Sequence, residues 1–288
     1  MDDARKTVIV TDSSCDLSDE QLSRYGIRMI SLRIVCQNAE YRDRIDIQED
    51  ELYELLTREL PKTSLPLPED VTSLYESLAR EGVTDVIHMS ISSGLSGTFN
   101  MVRMITQDFE GRMRVHMVDS RTLSMGLGMM VLAAARALEE GATPEEAIER
   151  AQAVRRNQLG MFVIRTLEFL RKGGRIGKVE GVVGSLLQIK PIIYVNDEGI
   201  YATLAKARGY RSAVDTMVSE VKRFLGGAKA ELSVVNGKAR EEAEKLMERL
   251  RGELEVTGET HIMSVSPVLA IHTGPGLLGI VANRADPA

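Results

Sequence analysis

Over the first 140 residues the apolar positions follow two alternating rhythms. Short apolar runs at 7–11, 86–91 and 114–118 are bounded by polar or glycine residues and are too short for helices, so each predicts a buried strand. Residues 27–35 are also β-like. Between these runs the apolar positions recur at helical spacing. Residues 16–25 predict a helix with Ser18 or Asp16 as its N-cap. Residues 48–60 predict another, with Leu52, Leu55 and Leu56 on one face and Pro61 as its stop. Further helices are predicted over 69–81, 99–109 and 124–140. Gly141 caps the last of these, and Pro144 opens the next. Strands alternating with helices predict a largely parallel sheet.

The rhythm changes near residue 160. A strand starts at 160–164. Apolar stretches at 189–195 and 200–207 flank Asn196-Asp197-Glu198-Gly199, a hairpin signal. Helices at 210–225 and 239–251 surround a strand at 230–235, and an apolar tail runs over 269–281. The expectation is an α/β protein of two domains. Residues 1–160 form a three-layer α/β/α unit with a mostly parallel sheet. Residues 161–288 form an α+β unit with a mixed or antiparallel sheet.

Composition narrows the function classes. The chain has 288 residues, 43% hydrophobic and 27% charged, ordinary for a globular protein. A net charge of −6 argues against a general nucleic-acid binder. Cys15 and Cys36 lack zinc-ligand spacing and are expected as free thiols. The acidic start, Met1-Asp2-Asp3, lacks the apolar stretch of a signal peptide, and no apolar run reaches the ~18 residues of a membrane span. A cytoplasmic location is the expectation. There is no Trp, yet there are 14 Met. Met fills irregular cores, and a flexible unbranched lining also suits a long aliphatic ligand, with Met125, Met129 and Met130 as candidates.

The chemistry-bearing residues cluster at turns. Ser92-Ser93-Gly94-Leu95-Ser96-Gly97-Thr98 joins a predicted strand to a predicted helix. Unpaired N–H groups and four hydroxyls there favour an anion. Asp12-Ser13-Ser14 ends the first strand, where α/β sheets collect ligands, although the same residues make good helix caps. Lys62-Thr63-Ser64-Leu65-Pro66 forms a loop, either holding its hydroxyls toward a ligand or capping the next helix. His272 precedes Thr273-Gly274-Pro275-Gly276, a sharp turn that brings backbone close to a ligand. Arg175, in Arg171-Lys172-Gly173-Gly174-Arg175, can hold a carboxylate or phosphate, or lie in a solvated turn. Gly94-Leu95-Ser96-Gly97 departs from the G-x-S-x-G elbow of hydrolases. No Walker loop, Rossmann glycine pattern or metal motif occurs. The residues therefore support hydroxyls, an imidazole and an arginine around one anionic head group, with no cofactor and no metal.

Six segments in this order resemble the DegV family, also called FakB-type fatty-acid-binding proteins. They are Val10-Thr11-Asp12-Ser13-Ser14, Lys62 to Pro66, Ser92 to Thr98, Val118-Asp119-Ser120, Lys172-Gly173-Gly174-Arg175-Ile176 and His272 to Gly276. The family usually has Thr-Ser-Gln-Pro-Ser in the second segment; Leu65 and Leu67 stand here for its Gln and last Ser. The resemblance implies a long-chain fatty acid between two domains, its chain in an apolar tunnel. It implies a carboxylate held by Thr63, Ser93 and Ser96, in loops that also carry Ser64 and Gly94. His272 joins the head-group network, and Arg175 supports that network or the partner surface. It further implies a carrier without catalysis of its own, which presents the acid to a separate fatty acid kinase for acyl-phosphate formation, with at most transient membrane contact. Two alternatives stay open. One is a lipid-responsive regulatory module, and the other a serine acyl hydrolase using Ser96 and His272.

Overall fold

β-Branched and apolar runs take the centre of two sheets, as their periodicity requires. The computed structural model describes residues 6–182 and 188–285; the acidic start at Met1 to Arg5, where no leader is expected, lies outside the described residues. Before residue 120 come strands β1 (Thr7–Asp12), β2 (Arg28–Ile30), β3 (Arg33–Val35), β4 (Glu40–Arg42), β5 (Lys62–Ser64), β6 (Asp85–Ser90) and β7 (Arg114–Asp119). After it come β8 (Gln158–Val163), β9 (Ile189–Val195), β10 (Tyr201–Arg208), β11 (Ala230–Gly237), β12 (His261–Ser264) and β13 (Leu277–Arg284). The helices are α1 (Asp19–Arg24), α2 (Glu49–Leu55), α3 (Pro68–Arg80), α4 (Thr98–Thr106), α5 (Met125–Glu139), α6 (Pro144–Arg156), α7 (Glu168–Lys172), α8 (Tyr210–Leu225), α9 (Arg240–Glu253) and α10 (Pro267–Thr273).

The first sheet runs β2-β1-β6-β7, all parallel. Val10 and Val86 pack on one face with Tyr75 and Leu78 of α3 and Val102 of α4. Ile9, Ile87 and Met89 meet the α5 side on the other. The second sheet runs β10-β9-β8-β13-β11-β12, antiparallel except for β11 with β12. Helices α8 and α9 cover one of its faces. Its other face joins α5 and α10 in a core that draws on both sheets, from Ile9 and Met89 to Val235 and Val281. The protein is thus a mixed α/β fold with a parallel sheet and a mixed sheet, as the pattern predicts.

Four local expectations change. Residues 27–35 are not one strand. The backbone of Leu32 turns aside to pair with Ser13 Oγ and the Asp43 N–H, so β2 joins the first sheet while β3 enters a small antiparallel sheet, β4-β3-β5. The helix expected over 48–60 stops at Leu55, because the chain must extend to pair β5 with β3. Residues 62–64 are accordingly a strand and not a loop. The apolar tail divides into α10 and β13, parted by Gly274 and Gly276 at φ of 68° and 84°.

Candidate functional site

Four segments meet where the C-terminal ends of the parallel strands face α10. Thr63 and Ser64 come from β5. Leu95 and Ser96 come from the loop between β6 and α4. Arg175 follows α7, and Val268, Leu269 and His272 lie on α10. Together with Leu32, Leu65, Ile91, Leu123 and Tyr201 they line a cavity of about 190 Å³. Leu123, Tyr201 and Leu269 also wall an adjoining chamber of about 60 Å³, whose other walls include Phe162, Val235, Leu277 and Val281. Polar groups thus stand at one end and an apolar chamber at the other. A larger cleft, about 330 Å³, lies elsewhere between α5, α6 and the second sheet. Its Arg136 stands about 4 Å from Glu231 and from Glu259, so opposite charges there face one another rather than a ligand.

At the polar end a side-chain hydrogen bond joins β5 to α10. Thr63 Oγ1 lies 2.9 Å from His272 Nε2. Burial, with Arg175 nearby, pushes His272 down to about 4, so the imidazole is neutral at neutral pH. Its Nδ1 has no hydrogen-bond partner among the described residues and faces Gly173, where a Cβ would sit only 2.2 Å away. The glycine pair before Arg175 therefore makes room for the imidazole. Arg175 donates to Gly173 O at 2.7 Å and to Leu95 O at 3.5 Å, which ties the cation to both the α7 turn and the Ser96 loop. Ser96 Oγ lies 2.9 Å from Thr98 Oγ1 at the start of α4.

Of the residues singled out in the sequence, Thr63, Ser64, Ser96, His272 and Arg175 share this lining; Ser93 and Gly94 do not. The Ser93 hydroxyl donates to Asp119 at 2.5 Å, and its N–H goes to the same carboxylate. Gly94 packs against the hairpin turn at Gly199. Asp12 acts as a cap: it accepts the Ser14 N–H and hydroxyl and the Ile91 N–H, which fixes the strand end before Ser92. Met125, Met129 and Met130 are core residues of α5 and line neither the polar cavity nor the chamber. Among the described residues no hydrogen bond links Ser96 to a histidine. Tyr201 and Leu123 escaped the sequence reading, because apolar wall residues look like any core residue there.

A family model described as "Uncharacterised protein, DegV family" matches residues 6–285. The chain belongs to the DegV family. A DegV domain-containing protein of Clostridium acetobutylicum is 38% identical over 276 residues, covering 96% of this chain and 98% of that one. Among solved structures, a fatty-acid-binding DegV family protein from Thermus thermophilus matches with a TM-score of 0.91 at 32% identity, over 97% of this chain and 99% of that one. DegV of Bacillus subtilis, described as a fatty acid binding protein, matches with a TM-score of 0.88 at 27% identity, over 98% and 100%. A stearic acid-binding protein from Eubacterium ventriosum gives 0.87 at 27%, over 96% and 97%.

Proposed function

We propose that this DegV-family chain binds a long-chain fatty acid between its two units, residues 1–160 and 161–288, and presents the carboxylate to a separate fatty acid kinase. The carrying observation is the polarity of the site. Hydroxyls, a neutral imidazole and a guanidinium gather at one end, and the apolar chamber opens from that end past Leu123, Tyr201 and Leu269. The fatty-acid-binding structures of its relatives support the same reading.

The physics divides the labour. Each buried methylene contributes ~0.8 kcal/mol, so the acyl chain supplies most of the affinity. A buried carboxylate left unpaired would be costly, so the polar end must satisfy it. With Nε2–H of His272 donated to Thr63 Oγ1, the Thr63 hydroxyl proton is available to the carboxylate. Ser96, Ser64 and Arg175 supply further donors. Ser93 and Gly94 serve the loop that carries Ser96 and not the ligand itself. In that tautomer Thr63 has no base to take its proton, so on this reading the chain is a carrier, placed in the cytoplasm, and the phosphoryl chemistry belongs to its partner.

Mass spectrometry of the organic extract of denatured protein tests the binding. An acyl chain of defined length is expected. An empty extract together with no affinity for added fatty acid would sink the proposal. Thr63→Ala with Ser96→Ala should weaken binding roughly tenfold, the loss of one to two hydrogen bonds to a charged group. Binding left intact would remove both residues from the site.

A further inference from the structure

The Thr63–His272 contact depends on where α10 sits, and α10 spans only seven residues. Helices that short do not hold themselves in water. Its entry is secured from outside. Asp16 accepts the Ser266 N–H and Asp43 accepts the Val268 N–H, each at 2.9 Å. Pro267, between them, has no N–H, and the Ser266 side chain makes no capping bond. The first two N–H groups at the start of α10 therefore end on carboxylates from sequence 250 and 225 residues away.

Both acids are buried, Asp16 at 3% and Asp43 at 0% exposure. Asp16 also accepts the Ser124 hydroxyl, directly after Leu123 of the cavity wall. Among the described residues the second oxygen of Asp43 has no hydrogen bond of good geometry, the Ser13 hydroxyl being the polar group beside the carboxyl. A buried, half-satisfied carboxylate is an expensive way to cap a helix when a serine already stands at the cap. What the two acids add is position, since each brings an acceptor oxygen from a distant part of the chain onto the first turn of α10.

We propose that Asp16 and Asp43 are positioning residues for the fatty-acid head group: they fix α10 so that His272 meets Thr63. This rests on the binding reading above, and the test separates the two. Proton NMR of delipidated, ligand-free protein reports His272 directly, because the chain has only four histidines. In D43A the His272 ring resonance moves while those of His88, His116 and His261 stay, and oleate affinity falls by about tenfold. D43N, which keeps an acceptor oxygen in place, restores the resonance and most of the affinity. In an H272A background the D43A loss shrinks below twofold, because the acid acts through the imidazole.

An unmoved His272 resonance, or the same affinity loss with and without His272, overturns the proposal. Should D43A fail to fold, Asp43→Leu takes its place. It keeps a side chain of comparable size and removes the acceptor that the Val268 N–H uses, so it is expected to shift the His272 signal; no shift overturns the proposal. If wild-type protein binds no fatty acid, the binding reading fails, and the ligand-free resonances still decide the role of the acids.

Discussion

Asp43 carries a stability cost that the rest of the fold must offset. Burial pushes its carboxyl up to about 7 from 3.8, against the lowering effects of the Ser13 hydroxyl and the Val268 N–H. Between those values the folded chain holds a proton that the unfolded chain has lost. The stability from this group is therefore complete below pH ~4 and lost as pH rises through 7. Asp16 and Arg44 face it; Asp16, pushed up to about 6 chiefly by burial, drifts in the same sense. His272 and His88 are pushed down by burial and work in the opposite sense. All of these remain in D43N, so subtraction isolates Asp43. The Tm of D43N minus that of wild type should climb steadily from pH 4 to pH 8; a flat difference would mean Asp43 does not titrate in that window. Legibility at this scale follows chemistry. Thr63, His272 and Arg175 stand out in sequence because hydroxyl, imidazole and guanidinium sit in glycine- or proline-marked turns. Asp43 does not, because Arg42-Asp43-Arg44-Ile45-Asp46 reads as a solvated charge run. Only the return of residues 266–268 from the far end of the chain buries it.

Most elements with several turns or six or more strand residues are legible, β13 within the apolar tail being an exception; those of three residues are not. The helices at α3, α5 and α8 and the strands β1, β6 and β7 lie within a residue or two of their predicted bounds, since burial on one face imposes a period that survives in the sequence. Strand β5 has three residues, too few for any period, and its pairing with β3 is what turns Thr63 toward α10. The hairpin between β9 and β10 is announced by its turn residues, yet its docking is not. Ser92 Oγ donates to Gly199 O at 2.7 Å, and Arg155 reaches Asn196 O, so the turn of the second sheet rests on the first unit. Gly94 permits that approach: a Cβ there would stand 2.8 Å from Gly199 O and from Ile200 Cγ2. Gly94→Ala should therefore cost about 1–3 kcal/mol in urea unfolding, the range for overpacking. It should leave fatty-acid affinity of the folded protein within about twofold, equivalent to under 0.5 kcal/mol. A large affinity loss at unchanged stability would return Gly94 to the ligand site.

At the scale of the molecule, the two sheets share a core, and the chamber is the part of that core that side chains leave unfilled. Its walls come from the start of α5, from α10 and from the inner face of β8, β13 and β11. A sequence cannot show such a space, because each wall residue alone is an ordinary apolar core position; the gap arises from how faces distant in sequence are set against each other. One wall residue gives direct access to it. Gly160 on β8 faces Val281 of β13 across the ladder. A Cβ on Gly160 would meet only Val281 Cγ2, at 3.8 Å, an ordinary contact. The outer carbons of Gly160→Leu then extend into the chamber, with a stability cost of about 1–3 kcal/mol where they overpack it. If the chamber receives the acyl tail, the variant loses burial for the distal methylenes and keeps the head-group contacts. At ~0.8 kcal/mol per methylene, displacing two of them costs about 1.6 kcal/mol, somewhat more than tenfold in affinity. Competition binding with C18 and C10 acids reads this directly: the C18-to-C10 affinity ratio should fall about tenfold while C10 binding holds. An unchanged ratio in a folded Gly160→Leu protein would place the acyl chain elsewhere and leave the chamber an ordinary packing defect.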